Sequence, residues 1–149
     1  MKNIFVSVTV LMFVIVSLCL MNNANAASPT KADEQEVLAF LEKQKDCQFK
    51  DMKFNVESEN IGPNKPGLIG SCSLDTSSTG NYYFFEKTSH GLVKRVQFQL
   101  GMRSEYWLSK KVNLGYYNIT LCHKSSDKVY NITYKWNGTS YYEVDEKKQ

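Results

Sequence analysis

Val129 to Val144, VYNITYKWNGTSYYEV, constrains the fold more than any other stretch of this chain. Tyr130, Ile132 and Tyr134 alternate with Asn131, Thr133 and Lys135, the period-two pattern of a strand with one buried face. Asn137-Gly138 then turns the chain into a hairpin. A two-residue loop would set Glu143 opposite Ile132 and place a charge on the apolar face. A three-residue loop, Trp136-Asn137-Gly138 with the glycine at positive φ, pairs Tyr142 with Ile132 and Val144 with Tyr130, and that is the expected register.

Upstream, the pattern begins with a helix and continues as strands. Thr30 is a capping residue with Asp33 three positions on, Asp33, Glu34 and Glu36 crowd the first turns, and Val37, Leu38, Phe40 and Leu41 form one apolar stripe. After Cys47 the period changes. A strand is expected at about 51–58, then a loop over 59–67 where Gly62-Pro63 and Lys65-Pro66-Gly67 break any ladder, then a second strand at about 68–74. The third, 81–87, carries aromatics on both faces: Tyr83 and Phe85 on one, Tyr82 and Phe84 on the other. A sheet solvated on one side does not show this, so the second face is either covered or a binding surface. Val96, Phe98 and Leu100 point inward from a fourth strand; 101–114 reads as a short strand or irregular connection, and 115–123 as another strand. The expected class is α+β: one N-terminal helix packed on an antiparallel meander sheet of six or seven strands, strongly curled if the second aromatic face is to be covered.

The first residues read as an export signal, so the domain is expected outside the cytoplasm. Met1-Lys2-Asn3 precedes an unbroken apolar run from Ile4 to Met21, and Ala24-Asn25-Ala26 supplies small residues for cleavage after Ala26. The division expected is therefore a signal peptide over 1–26 and a single exported domain over 27–149, periplasmic or secreted, touching a membrane only transiently through its leader. An uncleaved anchor is the alternative for so long an apolar run; a lipid-modified Cys19 fits less well because Leu18 precedes it. Cys47, Cys72 and Cys122 survive cleavage into an oxidising compartment, which implies one disulfide and one spare thiol. Cys72 shares strand parity with the core-facing Leu68 and Leu74, and Cys47 follows the helix that must cover that face, so Cys47–Cys72 is the favoured pair. Cys122 shares parity with Tyr116, Asn118 and Thr120, away from Tyr117, Ile119 and Leu121, and is either inert or a link between two copies.

No arrangement of residues announces a reaction. The net charge of +3 is too weak to suggest a nucleic-acid partner. His90 lies in a turn, and His123 and Cys122, as neighbours in a strand, point to opposite faces and make a poor base and nucleophile. Neither a zinc-like spacing, a phosphate-cradling glycine loop nor a nucleophile elbow is present, so neither metal nor cofactor is expected. Asn118, Asn131 and Asn137 each begin a glycan acceptor pattern, which would matter if this were a secreted eukaryotic glycoprotein. Tyr134, Trp136, Asn137, Gly138 and Tyr141, in the order Tyr-x-Trp-Asn-Gly-x-x-Tyr, resemble the terminal hairpin of many small exported bacterial proteins.

Together these features point to a non-enzymatic binding protein. The leading expectation is a protein partner, with the chain acting as an inhibitor or immunity protein against a cell-wall hydrolase or periplasmic toxin through Tyr82 and Phe84 or through Arg103, Tyr106 and Trp107. The alternative is a module for small molecules or cell-wall glycans, in which the same aromatics stack on sugar rings. A third reading, an enzyme, would have to use Glu105 or Asp46 in a cleft.

Overall fold

Thr30 starts the one α-helix of the described chain, α1 (Lys31–Leu41), by accepting the Asp33 amide at 3.3 Å while the Asp33 carboxylate accepts the Thr30 amide at 2.7 Å. The computed structural model describes residues 27–48, 51–74, 79–101, 104–124 and 128–144, so the expected leader over 1–26 lies outside the described residues. Val37 and Leu41 are fully buried and Phe40 half-buried, whereas Leu38 sits at the solvent margin. The fourth position buried beneath the helix is instead Asp33, whose carboxylate takes an ion pair from Lys87.

Eight strands follow in two antiparallel meanders. The first sheet holds β1 (Met52–Gly62), β2 (Lys65–Leu74), β3 (Gly80–Thr88) and β4 (Gly91–Leu100) in that order; the second holds β5 (Glu105–Asn113), β6 (Tyr116–Lys124), β7 (Val129–Trp136) and β8 (Tyr141–Val144). The class is α+β as expected, but the single sheet of six or seven strands is corrected to two open sheets of four. The expected loop over 59–67 is corrected too. β1 and β2 meet through a tight turn at Pro63-Asn64, with Asn64 at φ +56° and Pro66 beside a bulge between Asn60 and Gly62, where a missing N–H disturbs the ladder least.

Three layers result, and they account for the two-faced β3. Tyr83 and Phe85 pack with Val37, Leu41, Cys47, Leu68 and Cys72 under α1. Phe84, with Ile61, Ile69, Phe98 and Leu100, meets Ile119, Leu121, Tyr116 and Trp136 of the second sheet, and Tyr82 joins the edge of that cluster. Cover by a second sheet, not a curl of the first, satisfies both faces. The two sheets approach closely at Gly62, where a Cβ would stand 2.3 Å from the Gly115 carbonyl oxygen.

Two local devices tie the layers together. The Cys47–Cys72 disulfide, with Cα atoms 5.7 Å apart, fastens the turn after α1 (Lys45–Cys47) to β2. A bulge in β4 leaves Arg95 unpaired between Lys94 and Val96 and aims it at Glu86 on β3. Glu86 is buried and accepts hydrogen bonds from Arg95 Nε at 2.7 Å, the Tyr116 hydroxyl at 2.6 Å and Lys65 Nζ at 3.2 Å. Arg95 also lies over the Trp136 ring and Lys65 over the Tyr116 ring. Because Tyr116 stacks on Trp136 and reaches Glu86, it enters the core, contrary to the outward parity expected for it.

The terminal hairpin forms, with a different loop. Asn137, Gly138, Thr139 and Ser140 connect the strands, and the register is Trp136 with Tyr141, Lys135 with Tyr142, Tyr134 with Glu143 and Thr133 with Val144. Gly138 does take positive φ, at +102°. The extra residues are organised by Asn137, whose Oδ1 accepts the amides of Thr139 and Ser140, both at 2.9 Å. Tyr142 and Val144 consequently lie on the face opposite to the one expected.

Candidate functional site

One face of the second sheet is packed against the first sheet, and the other carries the polar half of each strand. In register across it run Ser109 and Asn118; Trp107, Thr120 and Thr133; and Cys122 and Asn131. Lys135 follows Thr133 on this face at the period of a strand, and Tyr142 pairs with it from β8. Together with Lys111, these strands surround a concavity of about 470 Å³ lined by Trp107, Ser109, Lys111, Asn118, Thr120, Asn131, Thr133 and Lys135.

The floor of this concavity is unusual for a solvated sheet face. Asn118 is 5% exposed and Thr120 and Thr133 are each 7% exposed. The hydroxyls of Thr120 and Thr133 lie 3.4 Å apart and share a hydrogen bond, while the Asn118 Oδ1 is buried with no hydrogen-bond partner among the described residues. A buried acceptor without a donor is costly and calls for one from outside the chain. Trp107 on β5, which lines the concavity, is 40% exposed, and Tyr142 on β8, paired with Lys135, is 44% exposed.

Most residues expected at a partner surface lie elsewhere. Phe84 is 1% exposed and packs edge-to-face on Phe98 and Tyr106. Tyr82 packs edge-to-face on Tyr106, and burial pushes the Tyr106 hydroxyl up to about 12. These three rings are mortar between the sheets rather than open surface. Arg103 lies outside the described residues. Of the four that are described, Trp107 alone is at an open surface, because its neighbour Tyr106 points inward and strand alternation turns it out.

The remaining reactive groups are dispersed. Cys122 is free and buried at the outer face between Glu105 and Asn131, so a bridge to a second copy would first have to uncover it. His123 stacks on Tyr130 and has Nδ1 3.5 Å from the Ser104 hydroxyl. Glu105 pairs with Lys124 at 2.8 Å, whereas exposed Asp46 lies beside the first sheet, its carboxylate 3.5 Å from Gln97. No group of three His, Cys, Asp or Glu side chains among the described residues is arranged to hold a metal ion. Of the three acceptor patterns, Asn118 is buried, Asn137 is engaged in its loop, and Asn131 is exposed within the concavity.

What sequence reading missed is the floor itself. Asn118, Thr120, Asn131 and Thr133 read as solvent-facing strand positions, and their parity was legible; that they sink below a rim could be known only from the twist of the sheet. No described helix is long and apolar enough to cross a membrane. No family model matches the chain, and neither a curated protein nor a solved structure is significantly similar to it.

Proposed function

We propose that this is an exported, non-enzymatic binding protein whose site is the outer concavity of the second sheet, and that its ligand is a hydroxyl-rich small molecule or cell-wall glycan. The observation that carries this is the buried floor of Asn118, Thr120 and Thr133, with an acceptor lacking a donor, beside an exposed indole. Hydroxyl groups supply the donors that such a floor needs, and the apolar face of a sugar ring lies against Trp107. The concavity is within the range of about 300–1,000 Å³ of small-molecule sites. The Cys47–Cys72 disulfide suits an oxidising compartment, which supports export to the periplasm or beyond.

A protein partner of the inhibitor or immunity type, blocking a cell-wall hydrolase or a periplasmic toxin, is the second reading. Trp107 and Tyr142 support it, since aromatic side chains exposed on two edge strands offer contact area at low entropic cost. Incubating the purified protein with peptidoglycan, and separately with a periplasmic extract, separates the readings. Retention on peptidoglycan that is lost in Trp107→Ala and Asn118→Ala is expected. Equal retention of both variants would place the site elsewhere, and failure on peptidoglycan with capture of a hydrolase from extract would favour the second reading.

A further inference from the structure

Resting on the glycan reading, we infer that the concavity selects an anionic saccharide over its neutral counterpart. Lys111 and Lys135 both line it, and no carboxylate does among the described residues. Neither lysine is in an ion pair among those residues: the cations so engaged are Lys65, Lys87, Arg95 and Lys124. Elsewhere the protein answers its partly buried cations with carboxylates, Lys65 and Arg95 with Glu86 and Lys87 with Asp33. Here two amines flank an open polar floor that no carboxylate lines among the described residues.

The order of groups across the sheet specifies the ligand further. Ser109 pairs with Asn118, and Trp107 pairs with Thr120, which in turn pairs with Thr133. Lys135 is two residues beyond Thr133 on β7, which puts it at the Asn118 end of the floor. Cationic groups and a free acceptor therefore gather at one end, and the two threonine hydroxyls with an indole at the other. A ligand that satisfies all of them carries an anionic group, a neighbouring hydroxyl or amide N–H to donate to Asn118 Oδ1, and an apolar ring face for Trp107. An acidic sugar joins these three in one molecule, whereas a neutral sugar leaves both amines without a partner. Hydrogen bonds from an ammonium to an anionic oxygen are the stronger kind.

The test is calorimetric titration of the purified full-length exported protein with a β-1,4-linked glucuronate oligosaccharide, the glucose oligosaccharide of the same length and linkage, and a glucose phosphate. Preference for the glucuronate over the glucose oligomer of about tenfold is expected, the size that a charge-assisted contact supplies. The double variant Lys111→Gln, Lys135→Gln should lose the preference and bind both oligomers equally, with the circular dichroism spectrum of the wild type. The phosphate arm reads which anion the lysines take: binding of the sugar phosphate above glucuronate assigns the anion as phosphate and keeps the anionic preference. Equal affinity of the wild type for acidic and neutral oligomers overturns the inference and leaves the glycan reading standing. Absence of binding to every probe, with the fold intact, overturns both.

Discussion

Glu86 shows how much a single buried charge depends on its neighbours here. Burial alone would raise its carboxyl, but hydrogen bonds from Tyr116, Arg95 and Lys65 outweigh that and hold it below the ordinary range. Asp33 is lowered likewise, first through its hydrogen bond with Lys87, against the cost of burial. A carboxyl with a depressed folded value contributes stability that is complete above the unfolded value and is lost as pH falls through the folded one. Stability measured by urea denaturation is therefore expected to hold at neutral pH and to decline below about pH 4, where both groups begin to bind protons. Glu86→Gln should lower stability at pH 7 by about 3 kcal/mol, because Arg95 and Lys65 lose the charge they face, and should flatten the acid limb of the profile. An unchanged midpoint and an unchanged limb would show that the cluster contributes nothing. None of this was legible in the sequence: nothing there joins Glu86 to Arg95 or Tyr116, and the bulge that turns Arg95 onto it depends on one unpaired position in β4.

The helix and its sheet fit through a gap left by a missing side chain. A Cβ on Gly70 would stand 2.5 Å from Val37 Cγ1, and Val37 is fully buried with a stiff side chain. Gly70→Ala is expected to lower stability by about 2 kcal/mol through overpacking, whereas Gly101→Ala, which meets only the Ser104 hydroxyl at 4.0 Å, should be silent. Thermal denaturation of the two variants compares them directly, and equal midpoints would mean that α1 has room to move. Elements of this kind were largely readable. Thr30 and Asp33 announced the helix start, the alternation of Val96, Phe98 and Leu100 announced β4, and the parity of Leu68 and Cys72 with the helix before Cys47 led to the disulfide pair found. Turn registers were not. Pairing of Tyr142 with Ile132 assumed the shortest loop that kept a charge off the apolar face, but Asn137 organises a longer one by local hydrogen bonds and sets Glu143 beside Tyr134 at the last strand of the sheet, where a carboxylate can stay solvated.

At the scale of the whole molecule, the described residues form a helix and two sheets held by two clusters of apolar side chains and one disulfide. The disulfide closes a sequence separation of 25 residues, for which chain entropy gives about 3 kcal/mol, so reduction or Cys72→Ser should lower the melting temperature by about 10 °C without abolishing the fold. No shift on reduction would show that the bond adds nothing to packing already complete. The layering explains why the site was harder to read than the fold. Aromatic residues on both faces of β3 signalled either cover or a binding surface, and a second sheet took the cover, drawing Tyr82, Phe84 and Tyr106 inward. The face left open was the one that looked bland, with asparagines and threonines at alternate positions. Its use is tested most directly by amide chemical-shift mapping of the labelled protein during titration with soluble peptidoglycan fragments. Perturbations clustered on residues 107–111, 118–120 and 131–135 are expected; saturable perturbations confined to α1 and the first sheet would contradict the placement of the site.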